Sequence, residues 1–127
     1  MRWVADASVV VAYLLGAGSE TEREAMLGDV HAPALLDVET TQTLRGLVRG
    51  GKIDLGSAEL ARTELGQLAL RRYPDASLLR RSWELRDVCS IYDALYVALA
   101  EALEARLVTR DRRLARGVTS LVDVAGP

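Results

Sequence analysis

A helix that is apolar on nearly all of its surface places the strongest constraint on how this chain folds. The segment "SIYDALYVALAEAL" is predicted to be this helix, and its apolar residues surround the axis: Ile91, Leu95, Leu99 and Ala102 on one stripe, with Tyr92, Tyr96 and Val97 beside it. A helix of this kind is normally buried. The strand-like run "RLVT" follows directly after it. We therefore expect both segments inside the fold, although Asp93 and Asp111 stand at the starts of their elements.

Length and composition fit one compact domain that spans residues 1–127. Half of the residues are hydrophobic and 27% are charged, which excludes a disordered chain. No apolar run approaches the roughly 20 residues that a membrane helix needs. The first apolar stretch contains Asp6 and is interpreted as part of the fold rather than as a signal peptide. A single cysteine, Cys89, excludes an internal disulfide and favours a cytoplasmic location.

Short strand-like segments alternate with helical ones along the whole chain. Strands are predicted at residues 2–6, 30–35, 71–73, 106–109 and 120–124. Helices are predicted at residues 7–16, 19–28, 35–51, from about 57 to 70, from 74 through Trp83, 91–105 and 110–117. This alternation is typical of an α/β fold with a mainly parallel sheet, whose two faces are covered by helices.

Four acidic residues are predicted to share one edge of that sheet. Asp6 and Asp111 each end a strand, and Glu39 and Asp93 each lie in the first turn of a helix. Strand carboxyl ends and the following helix starts gather at the same edge, where ligands bind. Ionised carboxylates at close range repel one another, and a divalent cation relieves the repulsion. Carboxylate oxygens suit Mg²⁺ or Mn²⁺, and the single histidine and single cysteine offer no zinc site.

Each acid also has a purely structural interpretation. Ser90 and Asp93 form the S-x-x-D pattern of a capping box. Asp6 and Asp111 would cap the helices that follow them, and Glu39 would favour the dipole of its helix. On spacing alone, the metal site and the set of helix caps both remain open.

The chain resembles the PIN-domain family, and most closely its VapC-type toxins of bacterial toxin–antitoxin pairs. The resemblance rests on "VADASVVVAYLL", "APALLDVETTQTLRGLVRGGKI", "RRYPDASLLRRSWELRDVCSIYDALYVALAEAL" and "ARLVTRDRRLAR", which follow in family order over most of the chain. It implies a three-layer α/β/α sandwich with a short, mainly parallel central sheet. It also implies a Mg²⁺- or Mn²⁺-dependent endoribonuclease that cuts single-stranded RNA.

The same resemblance implies roles for individual residues. Asp6, Glu39, Asp93 and Asp111 are the acidic site, with one or two metal ions, and Asp111 contacts the metal directly or through water. Ser8 supports the Asp6 carboxylate or a bound water, or is simply a hydroxyl in a first helical turn. Family members are expected to be homodimers that a cognate VapB-type antitoxin silences. We place the dimer face on apolar surface of the early helices.

Several other side chains have two interpretations. Arg110 and Arg112 flank Asp111 where many family members have a small residue before the acid; we favour a solvated face over phosphate contacts. The same preference applies to most of a second group of arginines, namely Arg71, Arg72, Arg80, Arg81 and Arg86. Tyr92 is expected in the core rather than stacked on a base, and Trp83 in the core or an interface. His31 is expected at the surface or bridging, and Cys89 is expected to be an inert filler.

Two other classes of function remain to be weighed against the ribonuclease. A receiver-like phosphoacceptor domain also uses acids at strand ends with Mg²⁺, but it needs a lysine from a late strand. The only lysine, Lys52, lies in a turn in the middle of the chain. A non-enzymatic binding protein would retain the acids only as helix caps. The net charge of −2 and the pI of about 5.4 exclude a protein that binds nucleic acid through a broad basic surface.

Overall fold

A computed structural model describes residues 1–125 of the chain. Five strands form one sheet: β1 (Arg2–Ala5), β2 (Asp29–Pro33), β3 (Arg71–Tyr73), β4 (Arg106–Val108) and β5 (Val124–Ala125). Their order is β3-β2-β1-β4-β5, and every described pairing is parallel. The predicted short parallel sheet is confirmed, and within the described residues its last strand begins at Val124 rather than at residue 120.

In the described part of the chain, seven α-helices connect these strands, and a short 3₁₀ helix (Asp75–Leu78) precedes the fifth. They are α1 (Ala7–Leu14), α2 (Glu20–Leu27), α3 (Leu35–Arg49), α4 (Leu55–Gln67), α5 (Leu79–Glu84), α6 (Ile91–Leu103) and α7 (Arg112–Gly117). The first four pack against one another, while α5 packs on α6. The predicted α/β/α layering is therefore confirmed. Among the described residues, no helix has both the length and the apolar character needed to cross a membrane.

Helix α6 lies inside the fold, as its apolar pattern predicts. Every residue from Ala94 to Ala100 is buried, because this helix contacts β1, β2 and β4 on one side and α5 on the other. The central strand β1 is equally enclosed, with Val4 and Ala5 fully buried. Two apolar elements in direct contact hold the middle of the sheet in place, and the carboxyl end of β1 is therefore a fixed point in the structure.

Local sequence signals account for most helix boundaries. Ser19 caps α2 through a capping box with Glu22, and the Asp54 side chain accepts a hydrogen bond from the Ser57 amide and starts α4 at Leu55. Helix α3 ends at Arg49, and Gly50 is its C-cap. The next residue, Gly51, takes a φ of +69°, which glycine adopts without a steric penalty. Because α3 begins at Leu35, Glu39 lies in its second turn. The prediction that Glu39 occupies the first turn is wrong.

Candidate active site

The sheet reverses its strand order between β1 and β4, and Asp6 lies at this point. Strand β1 is paired with β2 on one side and with β4 on the other, which makes the crevice beyond β1 and β4 the expected ligand site of such a sheet. Asp6 directly follows β1, and its backbone amide donates to the carbonyl of Val108 at the end of β4 (3.3 Å). The fold therefore holds Asp6 at the place where α/β sheets bind ligands.

The Asp6 carboxylate is buried and accepts three hydrogen bonds. Its Oδ1 accepts from the Ser8 hydroxyl (2.5 Å) and from the Val9 amide (3.3 Å), and its Oδ2 accepts from the Thr109 hydroxyl. Burial raises the pKa of Asp6, the hydrogen bonds from Ser8, Thr109 and Val9 oppose that rise, and the negative charge of Asp93 adds to it. Asp6 caps α1 and also presents a carboxylate whose orientation is fixed.

Thr109 is a site residue that the sequence analysis missed. Its side chain is 1% exposed, and its hydroxyl donates to Asp6 while accepting from the amide of Asp111 (3.0 Å). The amide of Arg110 donates to the Ser8 hydroxyl (3.1 Å). Ser8 therefore connects the first turn of α1 to the loop that follows β4. The order T-x-D in "LVTRD" was the available signal. A threonine hydroxyl often accepts a hydrogen bond from the backbone amide two residues further on, which here is the amide of the acid.

Arg110 is exposed, as the prediction of a solvated face has it, and it also forms an ion pair with Glu22. Its Nε and one terminal nitrogen donate to the two Glu22 carboxylate oxygens at 2.7 Å each, and the terminal nitrogen also donates to the carbonyl of Ala17 (2.8 Å). The Glu22 side chain is fully buried, and the hydrogen bond from Arg110 is the main cause of its lowered pKa. This pair joins α2 to the loop that carries Thr109 and Asp111.

Glu39 is held by a buried tyrosine of the core helix. The Tyr96 hydroxyl, on a side chain only 1% exposed, donates to Glu39 Oε1 at 2.6 Å. Partial burial raises the pKa of Glu39, the bond from Tyr96 opposes this, and the charges of Asp93, Asp6 and Asp75 raise it further. The charge of Asp93 thus raises the pKa of both Glu39 and Asp6, so these three acids lie near enough to one another to interact.

Asp93 lines a cleft, and its contribution to the helix cap is made by its backbone amide. The Ser90 hydroxyl accepts from the Asp93 amide (3.1 Å), which is half of a capping box, but within residues 1–125 the Ser90 amide does not donate to the Asp93 carboxylate. Partial burial raises the pKa of Asp93, and the charge of Asp111 adds to this effect. Asp93 and Asp111 line one cleft of about 350 Å³, together with Ser90 and Arg113.

Asp111 is the acid that best fits a purely structural role. It is exposed, and its Oδ1 accepts from the amides of Arg113 and Leu114, each at 3.0 Å, so that it caps α7. Asp111 also lines the cleft that Asp93 lines. A fifth acid, Asp75, was not predicted; it follows β3 and accepts from the Leu35 amide at the start of α3 (3.0 Å).

These acids suit a cation that keeps part of its water shell. Among residues 1–125, no three histidine, cysteine, aspartate or glutamate side chains converge closely enough to ligate one ion together. The four acids that the resemblance implies therefore do not form a closed cage. Mg²⁺ is usually held by one or two carboxylates, waters and substrate phosphates rather than by a cage of protein ligands. Asp6, Glu39 and Asp93 offer only oxygen donors, and burial raises the pKa of each of these carboxyls.

Comparison with known proteins shows where this arrangement belongs. Residues 4–118 match the PIN domain family. The chain belongs to the PIN-domain family. It is 41% identical over 112 residues to Ribonuclease VapC9 of Mycobacterium tuberculosis, a match that covers 87% of each chain. At this level of identity, the chain also belongs to the VapC group within the family.

Solved structures confirm the PIN fold. The crystal structure of PAE2754 from Pyrobaculum aerophilum matches with a TM-score of 0.70 at 22% identity, covering 97% of this chain and 83% of the other. VapBC2 from Rickettsia felis, bound to a DNA fragment from its promoter, matches with a TM-score of 0.68 at 12% identity, covering 99% and 98%. The three-layer PIN architecture expected from the sequence is thus confirmed.

The remaining predicted side chains divide between confirmed and corrected positions. Tyr92 is 64% exposed and Trp83 is 62% exposed, so the expectation that Tyr92 packs in the core is wrong and Trp83 lies outside the core. His31 bridges, as one interpretation had it: its two ring nitrogens lie 2.7 Å from Asp29 Oδ1 and 2.8 Å from the Tyr73 hydroxyl. Burial raises the pKa of the Cys89 thiol, which agrees with an inert side chain.

Two arginines of the second group are also ion-paired rather than simply solvated. Arg72 donates to both oxygens of Asp37 and to the carbonyl of Leu65, and Arg81 donates to both oxygens of Glu101. These pairs tie β3 to α3 and α5 to α6. Such arginines are held in place by protein groups, which leaves them few donors for phosphate.

Proposed function

We propose that this chain is a ribonuclease toxin that hydrolyses single-stranded RNA with a divalent cation, Mg²⁺ or Mn²⁺, and that a VapB-type antitoxin neutralises it. Membership of the VapC group supports the ribonuclease and the antitoxin. Two observations support the metal-dependent chemistry: Asp6 lies at the strand-order reversal, and the charge of Asp93 raises the pKa of both Asp6 and Glu39.

The proposed roles follow from how each acid is held. Asp6 and Asp93 would bind the cation, since three hydrogen bonds fix Asp6 and Asp93 lines the cleft. When bound, a divalent cation supplies hydroxide near neutral pH and neutralises phosphate oxygens. Glu39, held by Tyr96, would orient the attacking water. Asp111 would complete the site through water.

The products follow from this chemistry. The water oxygen forms a new bond to phosphorus, the bond from phosphorus to the ribose 3′ oxygen breaks, and that oxygen leaves with a proton. The fragments should therefore carry 5′-phosphate and 3′-hydroxyl ends, and the ribose 2′-hydroxyl takes no part. The acidic balance of the chain is consistent with this scheme, because the cation rather than a basic surface would bring the phosphate to the site.

The receiver-like alternative is not favoured. Lys52, the only lysine, follows the carboxyl end of α3, whereas the acids lie near the amino end of this helix. Fifteen helical residues span roughly 20 Å. Lys52 therefore lies far from the position that a phosphoacceptor lysine would need. We also propose that the protein acts in the cytoplasm as a homodimer, in keeping with the family resemblance.

The decisive test incubates purified, antitoxin-free protein with total RNA and Mg²⁺ or Mn²⁺, with EDTA and Asp93→Asn as negative controls. Asp87→Asn is the matched control, because Asp87 is an exposed aspartate six residues away. We expect discrete products from the wild type and Asp87→Asn only, with 5′-phosphate ends on sequencing. Products that end in 2′,3′-cyclic phosphate, or cleavage that persists in EDTA, would contradict the proposal.

A further inference from the structure

A small pocket shares Glu39 with the acidic site and shares no lining residue with the cleft of Asp93 and Asp111. It lies between the first turns of α3 and the start of α6, has a volume of about 330 Å³, and is lined by Leu35, Val38, Glu39, Gln42, Thr43 and Tyr92. We call it the Tyr92 pocket. Because Glu39 belongs both to the pocket and to the acid cluster, anything bound here lies next to the reacting phosphate.

The walls of the Tyr92 pocket are apolar surface that the fold leaves exposed. Tyr92 is 64% exposed although it lies in the first turn of the most buried helix, and Val38 is 67% exposed. Asp93, the next residue, has its carboxylate in the catalytic cleft. A flat aromatic ring beside a metal-dependent nuclease site matches the way proteins bind unpaired bases, by stacking.

The polar edge of the pocket offers one free side chain. The Thr43 hydroxyl donates to the carbonyl of Glu39 (2.9 Å), so it has no second proton to donate to a ligand. The exposed amide of Gln42 has no hydrogen-bond partner within residues 1–125. An amide carries both donors and an acceptor and can pair with the edge of a base.

The charge around the pocket decides which part of a nucleotide it takes. Glu39 lies in its wall, and Asp75 and Asp93 are close enough to raise the pKa of Glu39. A phosphate group would be repelled there, whereas a neutral base would not. The pocket, with a volume of about 330 Å³, also suits a single base. A stable protein partner would have to cover a much wider surface, since such an interface buries about 800 Å² on each partner.

The two cavities on either side of the acids give the RNA a path. Asp93 and Asp111 line the larger cleft with Arg113, an exposed arginine that can contact phosphate, and Glu39 lines the Tyr92 pocket. A single strand that runs from the cleft to the pocket places one phosphate beside Asp6 and Asp93. We propose that the Tyr92 pocket binds the base of a nucleotide flanking the cleaved bond, with Tyr92 stacking on it and Gln42 pairing with its edge. This inference rests on the proposed ribonuclease function.

Cleavage and binding of short RNA oligonucleotides test the inference together. Each oligonucleotide carries the cleavage site with an abasic residue at one flanking position, and the proteins are the wild type, Tyr92→Ala, Tyr92→Phe and Trp83→Ala. Trp83 is the matched control, an equally exposed aromatic residue outside the pocket. The kcat/KM is measured with Mn²⁺, and the Kd is measured by fluorescence anisotropy in EDTA, where no cleavage occurs.

We expect one abasic position to weaken binding to the wild type about tenfold, which corresponds to a stacking contribution of roughly 1.4 kcal/mol. Tyr92→Ala should lose the same factor in Kd and kcat/KM on intact RNA, and should lose nothing further at that abasic position. Tyr92→Phe and Trp83→Ala should behave as the wild type. In Gln42→Ala, the base preference at that position should relax.

The outcomes separate the pocket from the ribonuclease. Unchanged Kd, kcat/KM and abasic response in Tyr92→Ala would overturn the inference while RNA cleavage stands. Tyr92→Ala that altered only the oligomeric state or the affinity for antitoxin would also overturn it and would assign Tyr92 to a protein interface. If the wild type bound RNA through Tyr92 but cut none, the pocket would stand and the proposed function would fall.

Discussion

The acidic site has two sides that are built in different ways. On the strand side, Asp6 is buried, and hydrogen bonds from Ser8, Val9 and Thr109 satisfy its carboxylate. On the helix side, Asp93 lies at the start of α6 with its carboxylate open to a cleft. One carboxylate is thus positioned by folding alone, while the other is left to interact with a cation or a substrate. The site thus combines a fixed carboxylate, that of Asp6, with a residue beside a cleft, Asp93. This arrangement is suitable for binding successive substrates.

The largest effect should come from removing the charge on the rigid side. Asp6→Asn keeps an oxygen that can cap α1 but removes the buried carboxylate that we assign to the cation. We expect kcat/KM for RNA to fall by about 1,000-fold, since a bound cation contributes several kcal/mol of charge stabilisation. The thermal unfolding temperature without metal should not fall, which circular dichroism can check. A variant that stays within threefold of the wild type would remove Asp6 from the chemistry.

The second largest effect concerns the Arg110–Glu22 ion pair, which holds the loop that follows β4. Arg110→Met leaves Glu22 buried without its partner. We expect the free energy of unfolding to fall by about 2 kcal/mol, less than for a fully buried pair because the Arg110 side chain is 40% exposed. Because Thr109 and Asp111 flank Arg110, activity should fall about tenfold.

Glu24→Gln is the control for this pair, since Glu24 is exposed on the same helix α2. Urea unfolding of Arg110→Met, Glu22→Gln and Glu24→Gln should give two destabilised proteins and one that matches the wild type. Equal stability in all three would show that the pair contributes nothing measurable to the fold.

A third prediction tests the tyrosine that holds Glu39. The hydrogen bond from Tyr96 opposes the rise in the pKa of Glu39, so Tyr96→Phe should raise that pKa further. If Glu39 acts in its ionised form, the acid limb of the pH–activity profile moves to higher pH. We expect roughly a threefold loss of kcat/KM at pH 6 and little change at pH 8. A uniform loss at every pH would mean that Tyr96 only shapes the core.

The smallest effect is the pH dependence of stability without metal. The folded-state pKa values of Asp6, Glu39 and Asp93 are raised, so protonation stabilises the folded protein. That stabilisation is complete below the unfolded values of 3.8 and 4.5 and is lost as the pH rises through the folded values. Glu22 works in the opposite direction, because its pKa is lowered.

This comparison can be sharpened with Asp93→Asn. In EDTA, the fall in unfolding temperature between pH 5 and pH 7.5 should be smaller for Asp93→Asn than for the wild type, because one repelling carboxylate is gone. Mn²⁺ should raise the unfolding temperature of the wild type at pH 7.5 and leave that of the variant nearly unchanged. The same Mn²⁺ shift in both proteins would argue against a cation at Asp93.

The amino-acid sequence by itself determined the kinds of elements and the position of Asp6 at the end of the first strand. The apolar surface of residues 91–103 required burial, and the alternation of short strands with helices required a parallel sheet. These signals are local, because a helix or strand repeats its pattern within a few residues. The position of Asp6 at the carboxyl end of β1 followed directly from that reading.

Only the tertiary structure decided which side chains serve those acids. The Arg110–Glu22 pair joins residues 88 positions apart, and Tyr96 reaches Glu39 across 57 positions. The exposed ring of Tyr92 reverses what its apolar neighbours suggested. Sequence periodicity gives the face of a helix but not the element that covers it, so contacts between distant segments depend on how the layers pack. The local sequence pattern thus determined the strands and helices that carry the site. The packing of those elements determined the hydrogen bonds of the site and left the Tyr92 pocket exposed.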